Sequence, residues 1–452
     1  MKIVVIICTC VLSISLIAQD QQPAAKILTF EDAVKIALQN GVLLNQQKNN
    51  LQLSEVQRTG AYAGLAPTLN AQVSAQSVNG NFFNQNDGNV VNGTTDQVYG
   101  SLNANLNIFN GLSQFNRVRQ YTNLLDAQSY YVNRTAQDII NTVTQQYLTV
   151  LLDAELLKIA QKNFEALNNQ LTQVKEQVEL GSKGPVDGYN QDSQTKAAEI
   201  LMLQAEIQLV NDKALLTLTL LMDPNEQFDV VKPAWDVNGL SDEAELQALF
   251  DTALKSRGDY LRAKKNEVAS RYAMKAAIGV MTPTLSAFGQ VYSTYNNVHG
   301  EENAPFGTQL KTNNLKKIYG LSLYIPILGG NTVYQNRTAY VQQKVLYHNN
   351  QVQTKNAEIT VKTDVLRAYQ NYKLYKRTFA VSIEQLTAAE QAFNLEKERY
   401  ELGVTSFVDY ITANRNLVKA QTDRAGAEYR LMFQKVVMDY ATGTLKPESI
   451  DY

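Results

Sequence analysis

The residue types that most often carry catalysis or bind metals are scarce in this chain and lie far apart. The two histidines, His299 and His348, have no Cys or second His at the spacing of metal ligands. No Gly-rich phosphate loop, nucleophile elbow or Glu-x-x-His pair occurs. The sequence therefore predicts a protein that is not an enzyme, with no catalytic residue, no metal site and no cofactor.

The charge balance narrows the classes of partner. The chain has 452 residues, is 44% hydrophobic, and carries a formal net charge of -2. This near-neutral balance gives no basic footprint for nucleic acid, and no block of like charge suggests a disordered tail.

The most informative spacing belongs to a glycine and an acid that occur together twice. Gly181 is followed six residues later by Asp187, and Gly403 is followed by Asp409 at the same spacing. Each glycine comes at the end of a helical pattern, where glycine stops helices. Each Asp falls in the first turn of the next helical pattern, where the helix dipole and exposed N–H groups favour an acid.

Upstream of each glycine, apolar or aromatic residues recur at intervals of seven. The first series is Val143, Val150, Leu157, Phe164, Leu171 and Val178. The second series is Val365, Tyr372, Phe379, Leu386, Phe393 and Tyr400. A seven-residue repeat predicts left-handed supercoiling against neighbouring helices, with these side chains as packing residues.

These matches predict that the chain is one unit written twice, with repeats over residues 19–240 and 241–452. Each repeat begins with a helical segment, about 30–63 or 241–278, and continues through two strands, a long helix and a return helix. In the first repeat these elements are predicted at about 67–79, 97–109, 113–180 and 186–221. In the second repeat they are predicted at about 283–295, 318–328, 332–402 and 408–440. A helix of 68 residues would span about 100 Å, far more than a globular core needs.

The four predicted strands alternate between apolar and polar residues. In the first strand, Leu69 and Ala71 alternate with Asn70 and Gln72. Each segment has about the length that a tilted strand needs to cross a bilayer. The alternative is a sheet in a water-soluble protein, packed on the helices.

Four strands cannot close a membrane barrel, whose smallest examples have about eight strands. Because an open edge in lipid leaves backbone groups without hydrogen bonds, several copies of the chain are expected to pool their strands.

The N-terminus has the layout of a secretory signal. Lys2 is followed by an apolar run that ends at Ala18, so residues 1–18 are predicted to be a signal peptide. Both cysteines, Cys8 and Cys10, lie in this segment, and the mature chain is therefore expected to contain no thiol.

The duplicated pattern and the paired glycine–acid motif resemble the TolC-like outer membrane efflux protein family over the whole mature chain. The match is most specific at the turns, through Gly181 with Asp187 and through Gly403 with Asp409, and Tyr400 matches three residues before the second glycine. The resemblance implies a mixed α and β membrane protein. It would be a homotrimer, with a 12-stranded β-barrel in the outer membrane continued by a 12-helix α-barrel across the periplasm.

The resemblance also implies a role and partners. The trimer would be the outer membrane channel of a tripartite efflux pump or a type I secretion system, docking with a periplasmic adaptor protein and an inner-membrane pump. The helical turns would form a periplasmic gate. The sequence alone leaves the transported substrate, the adaptor and the pump open.

The turns depart from the family pattern in their charges. The family places a second Asp and an Arg near the second turn, where this chain has Thr412 and Thr405. Lys183, in the first turn, is a candidate substitute for the missing cation. Two interpretations of Asp187 and Asp409 stay open: carboxylates at a pore constriction attract cations, whereas acids at helix N-termini can serve only as caps.

The main alternative from another class is a periplasmic coiled-coil adaptor or scaffold with long helical hairpins and no membrane barrel. It accounts for the seven-residue repeats and leaves the four alternating segments without a purpose.

Overall fold

The computed structural model describes most of the chain after the predicted signal segment, which lies outside the described residues. The described residues are 26–84, 88–233, 245–327 and 330–446. They divide into two compact units, and the longest helices contribute to both. Unit A comprises residues 26–39, 143–233 and 393–425, and unit B comprises residues 40–142, 245–392 and 426–446.

The first half of the chain contains four helices and four strands among its described residues. In chain order these are β1 (Lys26–Leu28), α1 (Phe30–Asn40), α2 (Val42–Ala63), β2 (Thr68–Asn84), β3 (Asn89–Asn110), α3 (Ser113–Glu179), α4 (Pro185–Leu220) and β4 (Phe228–Val230).

The second half repeats the order of two helices, two strands, a long helix and a return helix. Its elements are α5 (Leu246–Ser256), α6 (Gly258–Gly279), β5 (Thr284–Val298), the single turn α7 (Phe306–Thr308), a π-helix (Gln309–Asn313), β6 (Lys316–Tyr324), α8 (Gly330–Glu401), α9 (Phe407–Met432) and α10 (Gln434–Thr442).

Three segments that the pattern predicts as single helices are interrupted by one residue each. Gly41 and Arg257 have extended ψ angles of 108° and 116°, which end one helix and start the next. Phe433, with ψ of -2°, separates α9 from α10, and its side chain is buried. Gly258, directly after Arg257, is a local signal for that break, whereas neither Phe433 nor its chain neighbours are Gly or Pro, so no local signal marks the break there.

The strand ends also differ from the prediction. β2 continues past its predicted end at residue 79 to Asn84, and β3 begins at Asn89 rather than at residue 97, because the two strands pair with each other as far as these residues. β6 begins two residues early, at Lys316, and ends at Tyr324 rather than at residue 328, which lies outside the described residues.

The four long strands form one antiparallel sheet in the order β2-β3-β5-β6. Leu102 pairs with Ala71 on one side and with Val291 on the other, and one face of the sheet is therefore apolar across neighbouring strands. On β6 this face continues through Leu321, opposite Ala287. Among the described residues, β2 and β6 each have one strand neighbour, so the sheet has two open edges.

In unit A, the parallel ribbon of β1 and β4 is held by Tyr147 of α3. The buried hydroxyl of Tyr147 lies 2.8 Å from the carbonyl oxygen of Leu28 and 2.9 Å from that of Val231, and it accepts the Val231 N–H at 3.2 Å. Burial raises the pKa of Tyr147 to about 12, so the hydroxyl keeps its proton at any physiological pH.

In unit B, helix ends converge on Arg257, which is 1% exposed. Its guanidinium binds the carboxylate of Asp259 through two nitrogens, at 3.0 and 2.5 Å, and that of Asp364 at 3.1 Å. It also donates to the carbonyl oxygen of Ala441 at 3.1 Å. This network joins α6, α8 and α10 at the break between α5 and α6.

Every residue of the two seven-residue series is buried or half-buried, as expected for packing positions. In the described part of the chain, no helix is both long and apolar enough to cross a membrane.

Candidate gate at the helical turns

The two helix-ending glycines adopt the same backbone geometry. Gly181 has φ of 72° and Gly403 has φ of 74°, values that residues with a side chain rarely adopt. A Cβ at either position would meet open space, so the backbone angle alone, and not crowding, requires glycine.

Each glycine closes a Schellman motif that satisfies the last carbonyls of a long helix. After α3, the N–H of Gly181 donates to Val178 O at 3.1 Å, and that of Ser182 donates to Gln177 O at 2.8 Å. After α8, Gly403 and Val404 make the equivalent bonds to Tyr400 and Arg399, at 3.1 and 2.8 Å. The sequence motif therefore encodes the same sharp turn twice.

Asp187 caps the N-terminus of α4. Its Oδ2 accepts the backbone N–H of Gly184 at 3.1 Å. Pro185 occupies the first helical position, where its missing N–H costs nothing. Because Gly184 has no side chain, this cap has only one of the two hydrogen bonds of a full capping box.

Asp409 makes the more complete cap, at the start of α9. Its Oδ2 accepts the hydroxyl of Ser406 at 2.6 Å and that of Thr405 at 3.2 Å, while the Asp409 N–H donates to Ser406 Oγ at 3.2 Å. These hydroxyl bonds, with Ser406 first, lower the pKa of Asp409 below its usual value. The carboxylate is exposed, so it is charged and available at neutral pH.

A direct bond joins the two turns. Lys183 Nζ lies 3.0 Å from the hydroxyl of Tyr400 and 4.2 Å from the centre of its ring. Lys183 belongs to the first turn and Tyr400 to the last turn of α8, and the side chain of Tyr400 is 7% exposed. The candidate substitute cation and the candidate gate tyrosine are therefore in contact.

Tyr400 also belongs to an aromatic cluster that the sequence pattern did not identify as part of the site. Its ring stacks on Tyr410 with a centroid distance of 5.0 Å and an angle of 10°, and it lies 6.1 Å from Phe407. Burial, followed by the proximity of Tyr400, raises the pKa of Tyr410 to about 12. The one signal in the sequence was the position of these two residues beside the motif acid.

Polar bonds tie three helices of this cluster, α3, α4 and α9, together behind the turns. The amide of Gln191 donates to Leu167 O at 3.0 Å, which links α4 to α3. Asn414 donates to Asn163 Oδ1 at 2.9 Å, which links α9 to α3. Arg415 reaches Gln194 Oε1 at 3.1 Å, which links α9 to α4. Hydrogen bonds between these helices thus hold the turns in place.

The remaining candidates for chemistry lie apart from this site. His299 Nε2 contacts Asp96 Oδ2 at 2.8 Å beside the sheet, and His348 Nδ1 contacts Gln351 Oε1 at 3.1 Å on α8. Over the described ranges, no group of three or more His, Cys, Asp or Glu is arranged to hold a metal ion.

Comparison with known proteins agrees with this duplicated architecture. The family profile described as outer membrane efflux protein matches residues 33–221 and 249–444. The chain belongs to this family. Each matched segment contains one of the two long helices and one of the two glycine turns.

Relatives and solved structures of the outer membrane efflux family cover most of the chain. The chain is 23% identical to outer membrane protein TolC of Vibrio cholerae serotype O1, over 72% of each sequence. It is 21% identical to outer membrane efflux protein BepC of Brucella suis, over 78% of the chain and 74% of the relative. The fold matches the crystal structure of outer membrane protein VceC from Vibrio cholerae with a TM-score of 0.79 and 14% identity, covering 92% of this chain and 96% of that one.

The capping role of Asp409 has a pH signature. The pKa of Asp409 is lower in the folded protein, so its stabilising effect is complete above the unfolded pKa of about 3.9 and is lost as the pH falls through the folded value. We expect Asp409→Asn to lower the thermal midpoint by about 1–2 °C at pH 7. We expect this difference from the unmodified chain to shrink as the pH falls below the usual carboxyl range. Circular dichroism at a series of pH values measures this difference.

The matched control for this experiment is Glu165→Gln, which removes an exposed acid from the middle of α3. It should leave the midpoint unchanged at every pH. A deficit of Asp409→Asn that persists undiminished at pH 2.5 would show that the loss comes from something other than the carboxylate charge.

Proposed function

We propose that this protein is the outer membrane channel of a tripartite efflux pump or a type I secretion system. It would give substrates delivered by an inner-membrane pump a passive exit across the periplasm and the outer membrane. The observation that carries this proposal is a four-stranded sheet with one exposed apolar face and two open edges, continuous in sequence with very long helices.

The apolar face of the sheet supports contact with lipid. Val73 is 78% exposed on β2, and Leu321 and Leu323 are 69% and 62% exposed on β6. A water-soluble protein would bury side chains of this size against its own helices. Facing a bilayer, they would form the outward apolar band of a barrel.

The open edges support assembly from several copies. In lipid, the unpaired N–H and C=O groups of β2 and β6 would have no water to bind, so each edge needs another strand. Following the family resemblance, we propose a homotrimer whose three sheets make 12 strands and whose helices continue the wall as a 12-helix duct. Its location would be the outer membrane, extending into the periplasm, with an adaptor protein and an inner-membrane pump as partners.

The two halves of the chain fit a duplicated unit. We propose structural repeats over residues 19–240 and 241–452, and the family profile matches once within each of them. With two similar hairpins per copy, three copies would present six similar turns around one axis.

We propose that the turns form the periplasmic gate. The bond from Lys183 to Tyr400 would hold the first hairpin against the second in the closed form. Asp187 and Asp409 would each cap a return helix and also place a carboxylate near the constriction, where a ring of acids attracts cations and repels anions. Capping and gating are compatible, because capping fixes where each carboxylate lies.

Extraction from membranes tests the assignment to the outer membrane. We expect the full-length protein to fractionate with outer membranes, to require detergent for extraction, and to migrate as an oligomer in mild SDS until it is heated. Release by salt or alkaline carbonate as a water-soluble monomer would contradict the channel and would favour the periplasmic adaptor or scaffold.

Conductance tests the gate. In planar bilayers we expect Lys183→Met to raise the closed-state conductance several-fold, because Met keeps the side-chain length and removes the donor to Tyr400. We expect Asp187→Ala combined with Asp409→Ala also to give a leakier pore. Unchanged conductance with lower helix stability in the Asp double variant would mean that both acids only cap helices.

Lys175→Met is the matched control for Lys183→Met, because it removes an exposed lysine from the same helical hairpin. Its conductance should equal that of the unmodified channel. If both lysine variants raise conductance equally, the general loss of positive charge is responsible, and the proposed role of the bond from Lys183 to Tyr400 is wrong.

A further inference from the structure

The helix ends next to the sheet carry an excess of cations. The twelve residues nearest to the sheet in each of α2, α3, α6 and α8 contain six cations and one acid, Glu55. The six cations are Arg58, Arg117, Arg119, Arg271, Lys275 and Arg337. The whole chain, by contrast, has 41 Lys and Arg against 43 Asp and Glu. Positive charge is therefore concentrated where the strands meet the helices.

Three of these cations converge on one aromatic ring. Arg119 Cζ lies 5.5 Å from the ring centre of Tyr272 and 4.5 Å from that of Phe115. Arg271 Cζ and Lys275 Nζ each lie 5.6 Å from the centre of the Tyr272 ring. We call Phe115, Arg119, Arg271, Tyr272 and Lys275 the cationic face.

The cationic face has no internal counter-charge. Within the ranges that the structure describes, no carboxylate lies at ion-pair distance from its three cations. Three like charges around one ring repel one another, and the ring quadrupoles offset that repulsion only in part. The arrangement is therefore complementary to an anion.

Exposed apolar side chains share the side of the helices that carries these cations. Phe115 is 45% exposed, one turn before Arg119 on α3, and Ile278 is 40% exposed, one turn after Lys275 on α6. On α8, Tyr334 is 72% exposed, one turn before Arg337. Cations mixed with aromatic and aliphatic groups are typical of the interface between membrane and water.

The same helices present a different surface on roughly the opposite side. Gln120, Asn336 and Gln343 line an open groove of about 560 Å³ with a floor of small residues, and Arg117 also lines it. Gln120 is five residues from Phe115, and Asn336 is two residues from Tyr334. Around the helix axis, the members of each pair therefore point in directions that differ by more than a third of a full turn. Gln120 and Asn336 are thus separated from Phe115 and Tyr334 around α3 and α8.

We propose that the cationic face binds the phosphate of an anionic phospholipid in the periplasmic leaflet of the outer membrane. This inference rests on the proposed function, which places the sheet in that membrane. α3 begins three residues after β3 ends, and β5 begins five residues after α6 ends, so the face lies at the depth of lipid headgroups. The phosphate would supply the missing negative charge, while Phe115 and Ile278 contact the upper part of the acyl chains.

Lipid binding to the purified full-length protein tests this inference. Native mass spectrometry in detergent would compare dioleoylphosphatidylglycerol with dioleoylphosphatidylcholine. We expect preferential retention of phosphatidylglycerol by the unmodified protein. We expect at least about tenfold weaker retention by the triple variant Arg119→Gln, Arg271→Gln and Lys275→Gln, since each cation near an anionic lipid contributes about fivefold.

Two further variants make the result specific. Lys162→Gln with Lys175→Gln and Lys397→Gln removes the same charge from exposed positions in unit A and should keep the preference for phosphatidylglycerol. Arg119→Lys with Arg271→Lys keeps the charge of the cationic face and should retain most of the binding. Loss in the triple Gln variant together with retention in both of these supports the proposal.

Three results would overturn it. One is equal retention of the two lipids by the unmodified protein, and another is an equal loss in the unit A control. A third is a changed ion selectivity of the triple Gln variant with unchanged lipid retention, which would place these cations along the water-filled passage. Failure of the unmodified protein to form a detergent-extracted oligomer would instead refute the proposed channel, so the two claims fail separately.

Discussion

Backbone hydrogen bonding at the edges of one sheet governs the rest of this molecule. The described part of the chain gives β2 and β6 a strand neighbour on one side only, and the apolar face between them is exposed. In water, such a sheet would be a hazard for aggregation. In lipid, it would be incomplete, because each unpaired N–H and C=O costs free energy that no solvent offsets.

In the proposed assembly, pairing between copies would resolve both the exposed apolar face and the unpaired backbone groups. Copies that pair edge to edge would satisfy the backbone and turn every apolar face outward, and the polar side chains of β2 and β3 would line a wet interior. The helices would inherit this circular arrangement, because each strand is connected to its helix by only a few residues. The long helices would then need only a narrow packing seam, which the seven-residue series provides.

The turns at the far ends of the long helices show how little sequence is needed to repeat a geometry. A glycine with positive φ closes each Schellman motif, and an acid six residues later caps the returning helix. The differences between the turns are equally informative. Ser406 completes the cap at Asp409, whereas Gly184 leaves the cap at Asp187 half-formed, and Lys183 turns its charge toward Tyr400.

Much of the fold was predictable because long periodic patterns determine it. The seven-residue spacing gave the long helices, the alternation gave the four strands, and the glycine–acid motif gave the turns. The break at Phe433 was not predictable, because neither this residue nor its chain neighbours are Gly or Pro. At the break before Gly258, the contact of Arg257 with Asp364 was not predictable, because the two residues are more than 100 positions apart.

The sequence predicted which residues belong to the candidate gate, but it did not predict which of them are in contact. Lys183 and Tyr400 were identified separately, and only the folded chain brings them together, since they are more than 200 residues apart. Tyr410 and Phe407 were missed because an aromatic residue beside a motif is far more often a packing residue than part of a site. The family profile matches both halves of the duplicated pattern, over residues 33–221 and 249–444.

Disulfide cross-linking between sheet edges tests the central claim most directly. On a background of Cys8→Ser and Cys10→Ser, one cysteine would be placed on the β2 edge (Leu69, Ala71 or Val73) and one on the β6 edge (Tyr319, Leu321 or Leu323). Within one chain these edges are three strand spacings apart, about 14 Å, which exceeds the reach of about 7 Å between the Cα atoms of a disulfide. Any bond must therefore join separate copies. The account predicts a covalently closed oligomer in one register of pairs and none in the neighbouring registers; only uncross-linked chains in every register, from protein that is folded in its membrane, would contradict it.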